Sequence, residues 1–534
     1  MQILHNAKIY TQDRKTPTAT ALVIDDHAPL AGRILAIGSD TEILDSFSHR
    51  AKIQDMQGAV ILPGLTDAHI HFRYYAHSLS KIDIFEASKA ETLRRVAERA
   101  KNSPPGKWVL GHGFNQNNWA EGFPTASDLD EVAPNNPVLL TSASLHSAWC
   151  NTVALKTAGI TVATPDPKNG RIGRKENGEP DGMLFETSEH LVSKFVPKPS
   201  LHDDMEAMKV AQKQLWQYGL TGIHDFDRIS CFKALQELHK SGDLKLRVSK
   251  TLPLEQLEPI IESGIRTGFG DDLLRIGGIK VFADGALGPQ TAAMLEGYEL
   301  DKENVGMLFL DGEEFFEKAS MAANSGLSMT VHAIGDQANH EMLKGFDQLR
   351  KYEKANHLPH LRHRIEHVQL LHPDDFDKFS NLDIIASMQP IHATDDMDMA
   401  DKYWGERAQN SYAWQTLKKK GARLAFGSDA PVDSPNPFWG IHAAVTRQRP
   451  DGYPNLDGWQ SNERLSVEDA IAGYTTRPAF AAEMESHLGK LGSGYLADLI
   501  VLNDDPYTCD PTQLREIKPQ ATMVGGDWVW GQFN

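Results

Sequence analysis

The chain has 534 residues, 40% hydrophobic and 24% charged, with a formal charge of −18. That length is too great for one ordinary core, so one large domain with additions, or two to three domains, is expected. The acidic balance and the lack of a basic stripe or zinc-finger spacing argue against nucleic acid as a partner, because backbone binding needs clustered positive charge. Cys150, Cys231 and Cys509 lie too far apart for a disulfide framework or a CxxC site and read as buried thiols of a reducing compartment.

The N-terminal run MQILHNAKIYTQDRK alternates polar and apolar residues, as a strand does, and lacks the apolar core of a signal peptide. No stretch reaches the roughly 18 consecutive apolar residues of a membrane span. A soluble, cytoplasmic enzyme with a small-molecule substrate and no membrane partner is the expectation. Homo-oligomerisation is left open.

In chain order, residues 1–60 are short strand-like runs punctuated by Gly, Asp and Pro, and 487–534 have the same texture. Neither end can bury a comfortable core alone, so the two are expected to pair into one small β-sandwich. The segment 61–71 is the first strand of a larger unit. Residues 72–205 are far too many for a loop and read as an inserted subdomain over the barrel mouth, the natural place for substrate selection. From 206 to 486, short apolar runs alternate with amphipathic helical stretches, the pattern of parallel strands with crossover helices.

Counting AVILPGLTDAH (59–69), eight such strands occur, the others near 220–226, 244–252, 277–284, 327–333, 363–369, 382–390 and 422–430. Eight alternations suggest a TIM-like (β/α)8 barrel of the α/β class, whose chemistry sits at the C-terminal strand ends; an open sheet has the same alternation and is the alternative.

The polar residues at those ends carry the functional reading. In PGLTDAHIHF, His69 and His71 are two apart and point the same way on a strand, as two imidazoles ligating one metal would. Asp67 is a candidate to orient them. Lys280 in GGIKVFADG, His332 in MTVHAIGD, His367 in RIEHVQL and Asp429 in LAFGSDAP each end a different strand, so all six can converge on one mouth. Polar residues in apolar strands are costly unless paired or ligated, which makes packing a poor account of the set.

These motifs, HIH at 69–71, IKVFADG, VHAIGD, EH at 366–367 and GSDAPV, resemble the amidohydrolase superfamily, and within it the YtcJ-like group of metal-dependent hydrolases that includes N-substituted formamide deformylases. The resemblance implies that His69 and His71 bind a buried divalent metal, zinc in the first instance. It implies that Lys280, carbamylated, bridges to a second ion held by His332 and His367. Asp429 would ligate and act as general base. An unmodified Lys280 with a single metal is the alternative, in which His332 or His367 meets the substrate. The implied reaction is metal-assisted hydrolysis of a C–N bond in an amide or N-substituted formamide, with an ester, a cyclic amide or a catalytically silent relative as alternatives. Candidate substrate contacts are His146 in SLHSAWCN, His224 in GIHDF and Trp119. Asn151 reads as a helix cap, and Asp284 and Asp336 read as loop and helix supports.

Overall fold

The computed structural model describes residues 1–27, 31–84, 87–114, 119, 122–142, 147–167 and 170–531. The chain forms two compact units, Met1–Tyr75 with Met208–Asn534, and Ala76–Ala207.

The larger unit is built round eight parallel strands: β1 (Leu65–Ile70), β2 (Leu220–Asp225), β3 (Arg247–Pro253), β4 (Leu274–Phe282), β5 (Met329–Ala333), β6 (Arg364–His367), β7 (Ile385–Met388) and β8 (Arg423–Phe426). Each pairs with the next in sequence, and a parallel bridge between Ile70 and Ala430 brings the last strand back to the first. The α/β barrel expected from the eightfold alternation is therefore the fold. These strands read as near-continuous apolar runs because helices cover their outer face while side chains fill the interior. Gly427 lets the ends meet: a Cβ there would lie 2.4 Å from the His69 nitrogen and 2.6 Å from Asp67 Oδ1.

The stretch read as one strand over 59–69 is two. Val60–Pro63 pairs with Leu499–Leu502 in a different sheet, and β1 begins only after Gly64. The break falls at Pro63-Gly64, where the Gly64 amide donates to the Asp498 carbonyl (2.9 Å) and a Cβ would meet Thr221 Oγ1 at 2.3 Å. Periodicity cannot register such a hand-over, because both strands are apolar.

Both chain ends feed two further sheets. One orders Arg33–Gly38, Ala21–Asp25, Gln2–His5 and Lys52–Asp55. The other orders Asp527–Trp530, Pro519–Val524, Leu499–Leu502, Val60–Pro63, Lys8–Tyr10 and Thr18–Ala19. Leu4, Leu22 and Ile24 of the first pack with Ile9, Ile61, Val501 and Met523 of the second in one core, as sandwich faces do.

The smaller unit carries a six-stranded sheet ordered Gly170–Arg174, Pro180–Glu186, Ser147–Cys150, Val138–Ser142, Val109–Phe114 and Ile82–Asp83. Its core includes Phe114, Trp119, Leu140 and Trp149. Asn151 caps the helix Thr152–Thr157, its Oδ1 accepting from the Ala154 amide at 2.9 Å. No helix among the described residues is long and apolar enough to cross a membrane.

One buried ion pair ties sandwich to barrel. Arg247 at the start of β3 donates through Nε and Nη2 to both oxygens of Asp498, the Nη2 bond being 2.7 Å, and both side chains are buried. The Gly525 amide also donates to Asp498, at 2.8 Å. Arg247→Met would strand that carboxylate, and a loss of about 3–5 kcal/mol is expected. Thermal unfolding at a fixed scan rate should show a lower transition for Arg247→Met and partial recovery in Arg247→Met/Asp498→Asn. Equal transitions in all three proteins would refute it.

Candidate metal centre

Asp429 stands three residues past β8, in the left-handed region (φ 59°). Its amide donates to the His69 carbonyl at 2.7 Å, and the residue is buried. Oδ1 lies 3.3 Å from His69 Nε2 and 3.3 Å from His71 Nε2. The structure thus brings together the HIH pair of the first strand and the aspartate following the last, because ring closure makes β1 and β8 neighbours.

Each imidazole is held from behind. His69 Nδ1 meets Glu366 Oε2 at 2.7 Å, and the ring lies flat on Phe226, 3.8 Å between centroids with 1° between planes. His71 Nδ1 meets Asp227 Oδ1 at 3.2 Å. Such bonds fix which nitrogen carries the proton and leave Nε2 as the lone-pair face. Asp67 works on the backbone, its Oδ1 accepting from the His69 and Ser428 amides, each at 3.0 Å.

Behind His69 sits a charged network inside the barrel. Burial alone would raise Glu366, but the Arg364 guanidinium and His69 outweigh it and hold the carboxyl near 2. Arg364 also donates to Ala68 O (2.7 Å), Ser387 Oγ (2.6 Å) and His224 Nδ1 (2.8 Å). His224 therefore backs Arg364, and burial beside that guanidinium lowers its pKa well below the ordinary imidazole range.

Lys280 is buried, with Nζ 4.9 Å from the Phe226 ring centre and 4.7 Å from that of Phe282. Burial lowers its amine to about 8 against the pull of Glu366 and Asp429. His367 Nδ1 is bonded to Gln389 Oε1 at 2.9 Å, and its ring lies 4.6 Å from that of His332. His332 stands differently: its Nε2 faces the Gly285 carbonyl at 2.9 Å, and burial, with Lys280 nearby, lowers its pKa to about 3. Asp284 accepts from the Ile334 amide through Oδ1, and from the Gly335 and Ala293 amides through Oδ2, shaping the loops at this edge.

Trp119 is packed in the core of the smaller unit, 5.9 Å from the ring of Trp149, with Nε1 donating to the Ala87 carbonyl. His146 lies outside the described residues.

Three contributors escaped the sequence reading. Glu366 adjoins His367 in RIEH, where the histidine drew attention. Asp227 follows β2 in HDFD. His392, in SMQPIHATDD after β7, brings Nε2 within 3.6 Å of Asp429 Oδ2, while its Nδ1 meets Asp433 Oδ2 at 2.5 Å. Applying the strand-end rule to β7, as to the other strands, would have found it.

Among the described residues, His69 Nε2 and Asp429 Oδ1 are two of the buried side-chain atoms without a hydrogen-bond partner, and they face each other. Leaving such atoms bare costs about 1–3 kcal/mol each, more where charged. A divalent cation between them satisfies both, and imidazole with carboxylate is the donor mixture of zinc-type sites, so the residues fit a metal.

Comparison with known proteins agrees. The amidohydrolase family model matches residues 52–530. The chain is 32% identical to YtcJ of Bacillus subtilis (strain 168) over 99% of both chains. It is 28% identical to an N-substituted formamide deformylase of Arthrobacter pascens, over 98% of this chain and 96% of that one. The crystal structure of a metal-dependent hydrolase from Pyrococcus furiosus superposes with a TM-score of 0.78 at 27% identity, covering 95% of this chain and 100% of the other. A barrel mouth that gathers imidazoles about one carboxylate, in a chain matched almost end to end, leads to one conclusion: the protein belongs to the amidohydrolase family and is a metal-dependent hydrolase.

Proposed function

We propose that the protein hydrolyses a C–N bond in a small amide or N-substituted formamide, with Asp429 as general base. The observation that carries this reading is the Asp429 carboxylate, 3.3 Å from both histidines of the HIH pair with one oxygen unpartnered. The similarity to a formamide deformylase over almost the whole chain supports the substrate class.

His69, His71 and Asp429 would hold a zinc ion, which supplies Lewis acidity toward water and the substrate carbonyl. Asp429 takes a proton from the attacking water and delivers it to the departing nitrogen, so that amide and water become carboxylic acid and amine, or formate and amine from a formamide. Burial beside the imidazoles of His392 and His69 suits this role. It would raise the carboxyl by itself, yet those neighbours hold it well below its usual range, so the group starts as the anion. Lys280 belongs to the same reading. With its amine lowered to about 8, it has a neutral fraction near neutral pH that can add carbon dioxide and lose a proton, becoming a carbamate able to join the ligand set.

Three measurements test this. A strong chelator should abolish hydrolysis, and added zinc should restore it; activity that survives complete metal removal would exclude the mechanism. Asp429→Asn should lower kcat/KM by on the order of 10²–10⁴ while thermal unfolding stays close to wild type. Finally, the metal-loaded protein should release formate and amine in equal amounts from a panel of N-substituted formamides, or acid and amine from N-acyl amines. Turnover confined to esters, lactams or lactones would overturn the substrate reading.

A further inference from the structure

The helix that follows β3 is short. Pro253 closes that strand, a single 3-10 turn (Leu254–Gln256) follows, and the helix Leu257–Glu262 has 6 residues, against 13 in Gly312–Asn324 after β4. A cavity of about 460 Å³ lies here, lined from both helices and from the end of β4. Its apolar walls are Leu254, Leu257, Pro259, Val281, Phe282 and Met321, and Lys280 also borders it. A space of this size and lining holds a small-molecule group.

Phe282, the last residue of β4, belongs to the cavity and to the barrel mouth alike. Its ring centre stands 4.7 Å from Lys280 Nζ and 5.2 Å from the centre of the His332 ring. The side chain is 46% exposed, and it is not an isolated apolar surface. Phe309 and Met307 are each 50% exposed, and the Phe309 amide donates to the Ala283 carbonyl (2.7 Å), which ties that residue to the strand end. Clustered exposed apolar side chains mark binding sites. Between Phe282 and Gly312 the chain forms neither helix nor strand, yet Leu287, Ala293 and Tyr298 of that segment are buried. Long connections of this kind in a compact domain are usually functional.

We propose that this cavity receives an apolar substituent on the nitrogen of the substrate, an aryl or branched alkyl group, and that Phe282 sets the preference for it. Burying a charged substituent against these walls would cost desolvation. Glu255 and Glu258 line the cavity too, with Lys318 opposite in sign, so a carboxylate would also meet repulsion. Assigning the group to the substrate nitrogen rests on the amide reading; the cavity's affinity for a neutral apolar group does not.

The test compares kcat/KM of the zinc-loaded protein for N-benzylformamide and N-methylformamide. Wild type should favour the benzyl compound about 10–100-fold, the discrimination an apolar pocket supplies. Phe282→Ala should cut that preference to a few-fold. General damage would lower both substrates together and leave the ratio as it was. A wild-type ratio near one, or a preference retained in Phe282→Ala, would overturn the proposal. Should Phe282→Ala misfold, Met321→Trp replaces it, since Met321 is 38% exposed and the larger ring would fill the cavity; the same loss of preference is expected. If neither formamide is hydrolysed, the amide reading fails, and the cavity is tested by ligand-detected NMR of N-benzylformamide binding. Met321→Trp should then weaken binding at least about tenfold. Equal binding to both proteins, or none to wild type, would refute the site.

Discussion

The centre depends on a charge pair that the barrel keeps away from water. Glu366 has no exposed surface, and its carboxylate is held by Arg364 on one side and His69 on the other. A carboxylate buried alone would protonate or break the fold. Paired here, it stays ionised and fixes the proton on His69 Nδ1. Arg364 is the wider brace. From β6 it reaches the Ala68 carbonyl on β1, His224 on β2 and Ser387 on β7, so one side chain links four strands and sets where His69 stands. The barrel interior at this level thus holds polar groups that satisfy one another, and the candidate metal-binding side chains of His69 and His71 stand against them.

A second brace comes from β2 and the residues just after it. Phe226 stacks on His69, Asp227 anchors His71 and accepts from the Arg73 and Tyr74 amides, and Asp225 accepts from the Phe72 amide. Lys250 on β3 is fully buried and neutralises this acidic corner, with Nζ 2.6 Å from Asp225 Oδ2. The same Nζ donates to the Asp227 backbone carbonyl, which ties β3 to the turn that anchors His71.

Backbone strain adds the final aim. His367 (φ 73°) and Asp429 (φ 59°) both take left-handed conformations, each costing about 1–3 kcal/mol for a residue with a Cβ. Hydrogen bonds hold these turns: the Asp429 amide to His69 O, and the Val368 amide to Ala333 O. Opposite elements therefore position these side chains jointly, and the rigidity suits a site whose chemistry needs fixed distances.

Much of this was legible in the residues themselves. Eight apolar runs separated by amphipathic stretches point to parallel strands covered by helices, and the closure of those strands into a barrel, through the bridge between Ile70 and Ala430, came from the structure. HIH and the strand-end aspartate were readable because a polar residue closing an apolar strand is costly without a partner. The hand-over at Gly64 was not, since two consecutive apolar strands look like one. Nor were the anchors: Glu366, Asp227 and Asp433 bond to histidines 297, 156 and 41 positions away, and only the folded barrel makes them neighbours. Sequence determined which chemistry this protein carries, because residue type and strand-end position are local properties. Tertiary structure alone decided which nitrogen of each histidine is free and which carboxylate oxygen it faces, because those depend on partners from distant strands.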